Sequence, residues 1–475
     1  MTVRNSLIAF ATGAAVLTIG APAIAQEVAV PAPEKGANLT IYSGDFALVR
    51  DRRSVRLPAS SAELAFTGVS GQMQPETALL EVLSGDALTI TEQTFNFDVL
   101  TPERLMRGAV GQEVGVVLVN TATGEETIKR AKILSVTNGL VIEMDGRIHT
   151  GAPGRIVFDK LPEGVRAQPA LLMSVRGEAK QETSVDLSYL TSGLSWNADY
   201  VAQYDPDAGR MDLKAWATVT NTTGVNFKDA NIKLVAGDVN RAPKAPTPHV
   251  MRAMEAQMAS APMADGVGQE GLVAYHMYTL PGQTTVNNRE TKQLALLEGR
   301  GVAVKRELSS RSQPYFFTAR MREPTTESHA DVELTFTNNA AAKLGMPLPA
   351  GILRVYSQDS SGAPQFLGES QIGHTPEGQD VNAALGRDFD VTVLREQTNF
   401  VQASDTIVIT NWRVTVKNAK AKAVAVQVIE QMPGTWEVTR ETLSHEKLNA
   451  AEAQWTVQVP AKGETVLEYN VRTRL

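Results

Sequence analysis

The stretch TSVDLSYLTSGLSWNADYVAQYDPDAGRMDLKAWATVTNTTGVNFKDANIKLVAG, residues 183–237, decides the fold class. Within it Trp196, Ala198, Tyr200, Ala202 and Tyr204 alternate with Asn197, Asp199, Val201 and Gln203, so large apolar side chains share one face and mostly polar ones the other. A spacing of four between aromatics would also suit one face of a helix. Turn residues close both ends of the run, Thr191-Ser192-Gly193 before it and Asp205-Pro206-Asp207-Ala208-Gly209 after it, and they select the strand. The stretch therefore predicts a meander of four antiparallel strands.

Working towards the C-terminus, the same grammar recurs. Ala215, Ala217 and Val219 lead to Asn221; Val332, Leu334 and Phe336 lead to Asn338; Trp412, Val414 and Val416 lead to Asn418. Each run is an amphipathic strand that ends in a polar turn, and the unequal spacing fits separate sandwich-like sheets rather than a regular solenoid. Alternation from Val424 to Val471 has the strand count of an immunoglobulin-like sandwich over 405–475. Between these regions, 241–268 is rich in Pro, Ala and Met and predicts a mobile loop within a sandwich core over 168–400.

Towards the N-terminus, residues 26–107 predict a first β domain with a Ser84-Gly85-Asp86 hairpin. It closes with a short helix that has Thr101 as cap and Pro102 at its first position. Residues 108–162 hold five short strands with tight turns, the pattern of a small SH3-like barrel. Arg50, Arg52, Arg53 and Arg56 suggest phosphate binding, but Asp51 interrupts them and strands alternate faces, so a solvated strand is the expectation. The whole is an all-β chain of several β-sandwich-like domains.

Residues 1–25 carry the parts of a cleaved secretory signal: Arg4, an apolar stretch from Leu7 to Ile19, and Ala23-Ile24-Ala25 before Gln26. Export to the periplasm or beyond is the expectation. No later segment has the run of about 20 apolar residues that spanning needs, so no integral membrane segment is expected in the processed chain. With no Cys there is neither a disulfide framework nor a thiolate nucleophile. A formal charge of −7 argues against nucleic acid as a partner.

The chain has no HExxH, GxSxG, phosphate-loop or EF-hand pattern, so no catalytic residue, cofactor or metal is assigned and a non-catalytic role is favoured over an enzyme. The six His are scattered. His374, in a tight turn before Pro376, is the one best placed to meet a ligand, against a bland role bonding backbone in its turn. His249 with Met251, Met254, Met258 and Met263 could hold soft Cu(I), although helical spacing favours a docking face or a loop. Asp205 and Asp207 resemble the start of a calcium loop but lack its further oxygens, which leaves a hairpin turn. Among the Trp residues, Trp196, Trp412 and Trp455 lie on apolar faces and belong to cores. Trp216, in register with Asp212, Lys214, Thr218 and Thr220, sits on a polar face and is a candidate ligand contact.

The strings YLTSGLSWNADYVAQY (189–204), NTTGVNFKDANIKLVAGDVN (221–240), ETKQLALL (290–297), LGMPLPAGILRVY (344–356) and FLGESQIGHTPEG (366–378) resemble the bacterial domain of unknown function 4139, the C-terminal module of mucoidy-inhibitor-A-like exported proteins. The resemblance covers about 168–475. Longer relatives carry a coiled coil where this chain has the small barrel. The resemblance implies a β-rich envelope protein and brings no catalytic residues with it. The function expected is binding or organising an envelope component, polysaccharide or protein; the alternative is an envelope hydrolase with a carboxylate and His site assembled between β domains.

Overall fold

Alternating burial runs through the strands as the sequence pattern requires. In Leu194–Asp205 every second side chain from Leu194 onward is buried, and Trp196, Tyr200 and Tyr204 line the inner face. The computed structural model describes residues 26–475 except 34, 58–60, 86, 97–99, 162–165, 167, 178–181, 238, 241–270, 273–274 and 343. The signal segment, the loop 241–268 and the His249 and Met cluster lie outside the described residues. What is described is nearly all strand, arranged in several sheets. It divides into two compact units, 1–37 with 49–190, and 38–48 with 191–475.

In the first unit, one sheet has the order Gln26–Val30, Ser61–Thr67, Ala170–Gly177, Leu88–Asn96. Residues 49–55, 183–190 and Leu79–Ser84 run side by side as a second set. The expected hairpin around Ser84-Gly85 is therefore not formed. Leu79–Ser84 bonds to 183–190 while Leu88–Asn96 bonds to Ala170–Gly177, so the turn carries the chain from one sheet to another. Turn residues report a change of direction and not the pairing partner. Arg53 also departs from expectation. It is buried with Asp51 in a two-bond ion pair of 2.8 and 3.0 Å and donates further to Val30 O and Thr67 O. A buried cation persists only when paired in this way. Pro102–Gly108 is a helix, with the Thr101 hydroxyl accepting the Arg104 N–H. It leads into five strands whose first, Glu113–Val119, pairs with the last, Arg155–Val157, around Val114, Val116, Ile133 and Ile142.

In the second unit, five strands form one sheet: β1 (Leu194–Asp205), β2 (Arg210–Asn221), β3 (Glu290–Ala303), β4 (Gly351–Gln358) and β5 (Pro364–Ile372), in the order β3-β2-β1-β4-β5. Of the expected four-strand meander only the β1–β2 hairpin survives. Phe227–Ala236 pairs with Asn38–Tyr42 and Tyr275–Thr279 instead. Trp196 and Tyr200 are tied down as well as buried: the indole donates to Val235 O at 3.1 Å and the phenol to Pro349 O at 2.7 Å. Their burial contributes on the order of 2 kcal/mol each.

Nine further strands make one sheet, in the order Thr435–Glu441, Gly463–Arg474, Ile407–Asn418, Asp380–Ser404, Ser328–Thr337, Lys305–Arg311, Val424–Gln431, Glu452–Val459, Glu446–Asn449. Trp455 and Tyr469 lie near opposite ends of that order, yet their rings stack at 4.5 Å. The sheet thus wraps upon itself and encloses Trp412, Trp455 and Leu467 as a sandwich core. Strands of 405–475 are hydrogen-bonded within this sheet to strands of 305–404.

The three Asn that end amphipathic runs are buried turn anchors. Asn221 Nδ2 donates to Val225 O and Val286 O, and Asn418 Nδ2 donates to Lys422 O and Pro460 O. In both, the amide oxygen accepts the N–H two residues on. Asn338 varies the device, donating to Met346 O, Thr375 O and Pro376 O.

Candidate functional site

The β1–β2 hairpin is built by local chemistry. Asp205 Oδ1 accepts the N–H groups of Asp207 and Ala208 at 3.0 Å, and Gly209 takes the left-handed φ of 61° that ends the turn. Asp207 pairs with Lys422 at 3.3 Å. These two carboxylates are thus turn and surface groups.

The inner face of the sheet is core; its outer face presents a different set of side chains. Register places Trp216 on β2 opposite Asp199 on β1 and Ala295 on β3, and Asp199 opposite Ile352 on β4. Trp216 is half-buried on this face, as its polar register predicts. Among the described residues its indole N–H has no partner.

Around the ring runs a fixed polar network. Asp199 accepts from Thr218 Oγ1 at 2.6 Å, Arg354 Nη1 at 2.8 Å and Asn197 Nδ2 at 3.1 Å. Arg354 Nε reaches Glu369 at 3.3 Å. Side-chain exposure rises along the chain of contacts, from 14% at Asp199 to 33% at Arg354 and 55% at Glu369. Burial raises the Asp199 pKa, but hydrogen bonds from Thr218 and Arg354, the Arg354 charge and the bond from Asn197 outweigh it and hold the carboxyl below its ordinary value. Reciprocally, the bond to Asp199 raises the Arg354 guanidinium.

Beside the network an open groove of about 490 Å³ is lined by Asn197, Ala350, Gly351, Ile352, Glu369 and Gln371. Gly351 lets β4 approach β1 there, because a Cβ would lie 2.2 Å from Ala198 O. His374 touches the groove wall indirectly: its Nδ1 accepts the Ala350 N–H at 3.1 Å. That bond places the ring proton on Nε2, so the exposed nitrogen is a donor and neither ring nitrogen offers a lone pair outward. His374 does bond backbone, but that of Ala350, the residue that leads into β4, and not that of its own turn. His276, nearby, is held below its usual pKa by burial and then by the His374 charge.

The structure brings Trp216 and the groove onto one sheet and places His374 at the groove's margin. Asp199, Arg354 and Glu369 are the residues the sequence reading did not select. Asp199 lies on the polar register of β1, but its link to Arg354 joins positions 155 residues apart. Trp196, Trp412 and Trp455 are core residues, as expected. Among the described residues no three His, Asp or Glu side chains converge as a metal site, and no helix is long and apolar enough to cross a membrane.

Residues 185–475 match the family model of a domain of unknown function, DUF4139. No curated protein matches the chain.

Proposed function

The chain belongs to the DUF4139 family, and from the outer face of its five-stranded sheet we propose that it is an exported, non-catalytic protein that binds an envelope polysaccharide. The observation that carries the reading is the half-buried Trp216 ring, whose N–H has no partner among the described residues, beside a network in which Asp199, Arg354 and Thr218 are already locked. An indole face stacks on the C–H surface of a sugar ring, and pre-oriented donors and acceptors meet its hydroxyls with little ordering cost. The signal-like residues 1–25 support the compartment.

A hydrolase reading needs a carboxyl kept protonated near neutral pH to act as the acid. Asp199 is held in the opposite direction. Binding without bond cleavage is the reading this chemistry favours.

The test is a glycan array followed by calorimetry on the processed chain and on Trp216→Ala. Loss of the half-buried ring should cost about 1–2 kcal/mol of stability and at least a tenfold loss of affinity. Absence of any bound glycan, or equal affinity in the variant, overturns the proposal.

A further inference from the structure

A second aromatic surface lies on the same face. Ile352, Arg354 and Tyr356 alternate along β4, so Tyr356 points to the side that carries Arg354 and its partner Asp199. Opposite it, β5 contains a bulge: Tyr356 registers with Phe366 while Val355 registers with Gly368, and Leu367 is passed over. Bulges re-aim side chains, and this one sets the Phe366 ring against Tyr356 at 5.5 Å and 61°. Gly368 permits it with a φ of 154°, where a Cβ would meet Leu385 O at 2.5 Å. Phe366 remains 55% exposed.

Trp216 and Tyr356 are separated by two strand spacings and four residues of rise, about 16 Å on standard sheet geometry. That is too far for one sugar ring and suits a chain of several. Between the two aromatic surfaces lie Asp199, Arg354 and Glu369, whose charges are paired with one another. Among the described residues of this central stretch one guanidinium is shared by two carboxylates, so the stretch is net acidic and repels a polyanion, whereas hydroxyls find donors and acceptors along its length.

Resting on the glycan reading above, we infer that the site takes an uncharged glycan chain laid diagonally across the sheet from Trp216 to the Tyr356–Phe366 pair. The test is calorimetry with neutral β-1,4-linked glucose and N-acetylglucosamine oligosaccharides, from monosaccharide to hexasaccharide, and with a uronic-acid hexasaccharide. A neutral hexasaccharide should bind at least tenfold tighter than its disaccharide, Phe366→Ala should reduce it to disaccharide affinity, and the uronic-acid chain should bind at least tenfold more weakly. A length series unaffected by Phe366→Ala, or a uronic-acid chain bound as tightly as a neutral one, overturns the inference and leaves the glycan reading standing when Trp216→Ala abolishes binding. If no oligosaccharide binds, or Trp216→Ala leaves every affinity unchanged, both fall. Thermal melts of the two variants show that each is folded.

Discussion

Arg354 donates to Asp199 at 2.8 Å across the parallel β1–β4 pair. The two residues are 155 positions apart in the chain, and their contact turns an ordinary polar strand face into a rigid one. A charged hydrogen bond in a partly desolvated place is short and directional, so the polar groups around Trp216 are held in fixed orientations.

The pH dependence of this contact has a definite sign. Folding lowers the Asp199 pKa, so its contribution is present above the unfolded value of about 4 and is lost as pH falls through the lower folded value. Asp199→Asn should therefore be less stable than wild type at neutral pH, with the gap narrowing in acid. Urea unfolding at pH 7 and pH 3 checks this; a gap that widens in acid contradicts it.

A second pair lies in the core of the nine-stranded sheet. Arg395 and Glu430 are buried at 2.9 Å, and Arg395 donates also to the hydroxyl and carbonyl of Ser310. Removing one charge leaves the other unpaired in a dry place, at a cost of about 3–5 kcal/mol. Glu430→Leu should show that loss in a denaturant melt, and joint replacement with Arg395→Met should recover most of it.

The Asn turns provide a third test. Asn418 supplies two donors and one acceptor to backbone groups, so Asn418→Ala should cost about 2–3 kcal/mol by stranding them. Asn418→Asp should be no better, because a carboxylate cannot donate to Lys422 O or Pro460 O. Thermal melts of both variants beside Asn221→Ala would show whether the two matching turns contribute alike.

Gly351 links packing to the groove. A methyl group there would overlap Ala198 O and crowd Tyr200, forcing β4 away from β1. Gly351→Ala should lower stability by about 3 kcal/mol and weaken glycan binding even though it removes no polar group. Melting and calorimetry on the same preparation would test both effects.

The amino-acid sequence by itself determined which segments are strands, which of their faces are inward, where the turns fall and which family the chain joins. Trp196 and Tyr200 inside, Trp216 on the polar register and Thr101 as a helix cap follow from period-two alternation and capping, both local properties. Tertiary structure alone decided which strands pair. Alternation assigns faces without naming neighbours, so the hairpin at Ser84-Gly85 and the full meander dissolved into different sheets, and Arg53 found a buried partner in Asp51. The site belongs to this second category. Asp199, Arg354, Glu369 and the Tyr356–Phe366 rings meet because a parallel pairing and a bulge bring distant segments side by side, and short-range sequence pattern carries no record of such contacts.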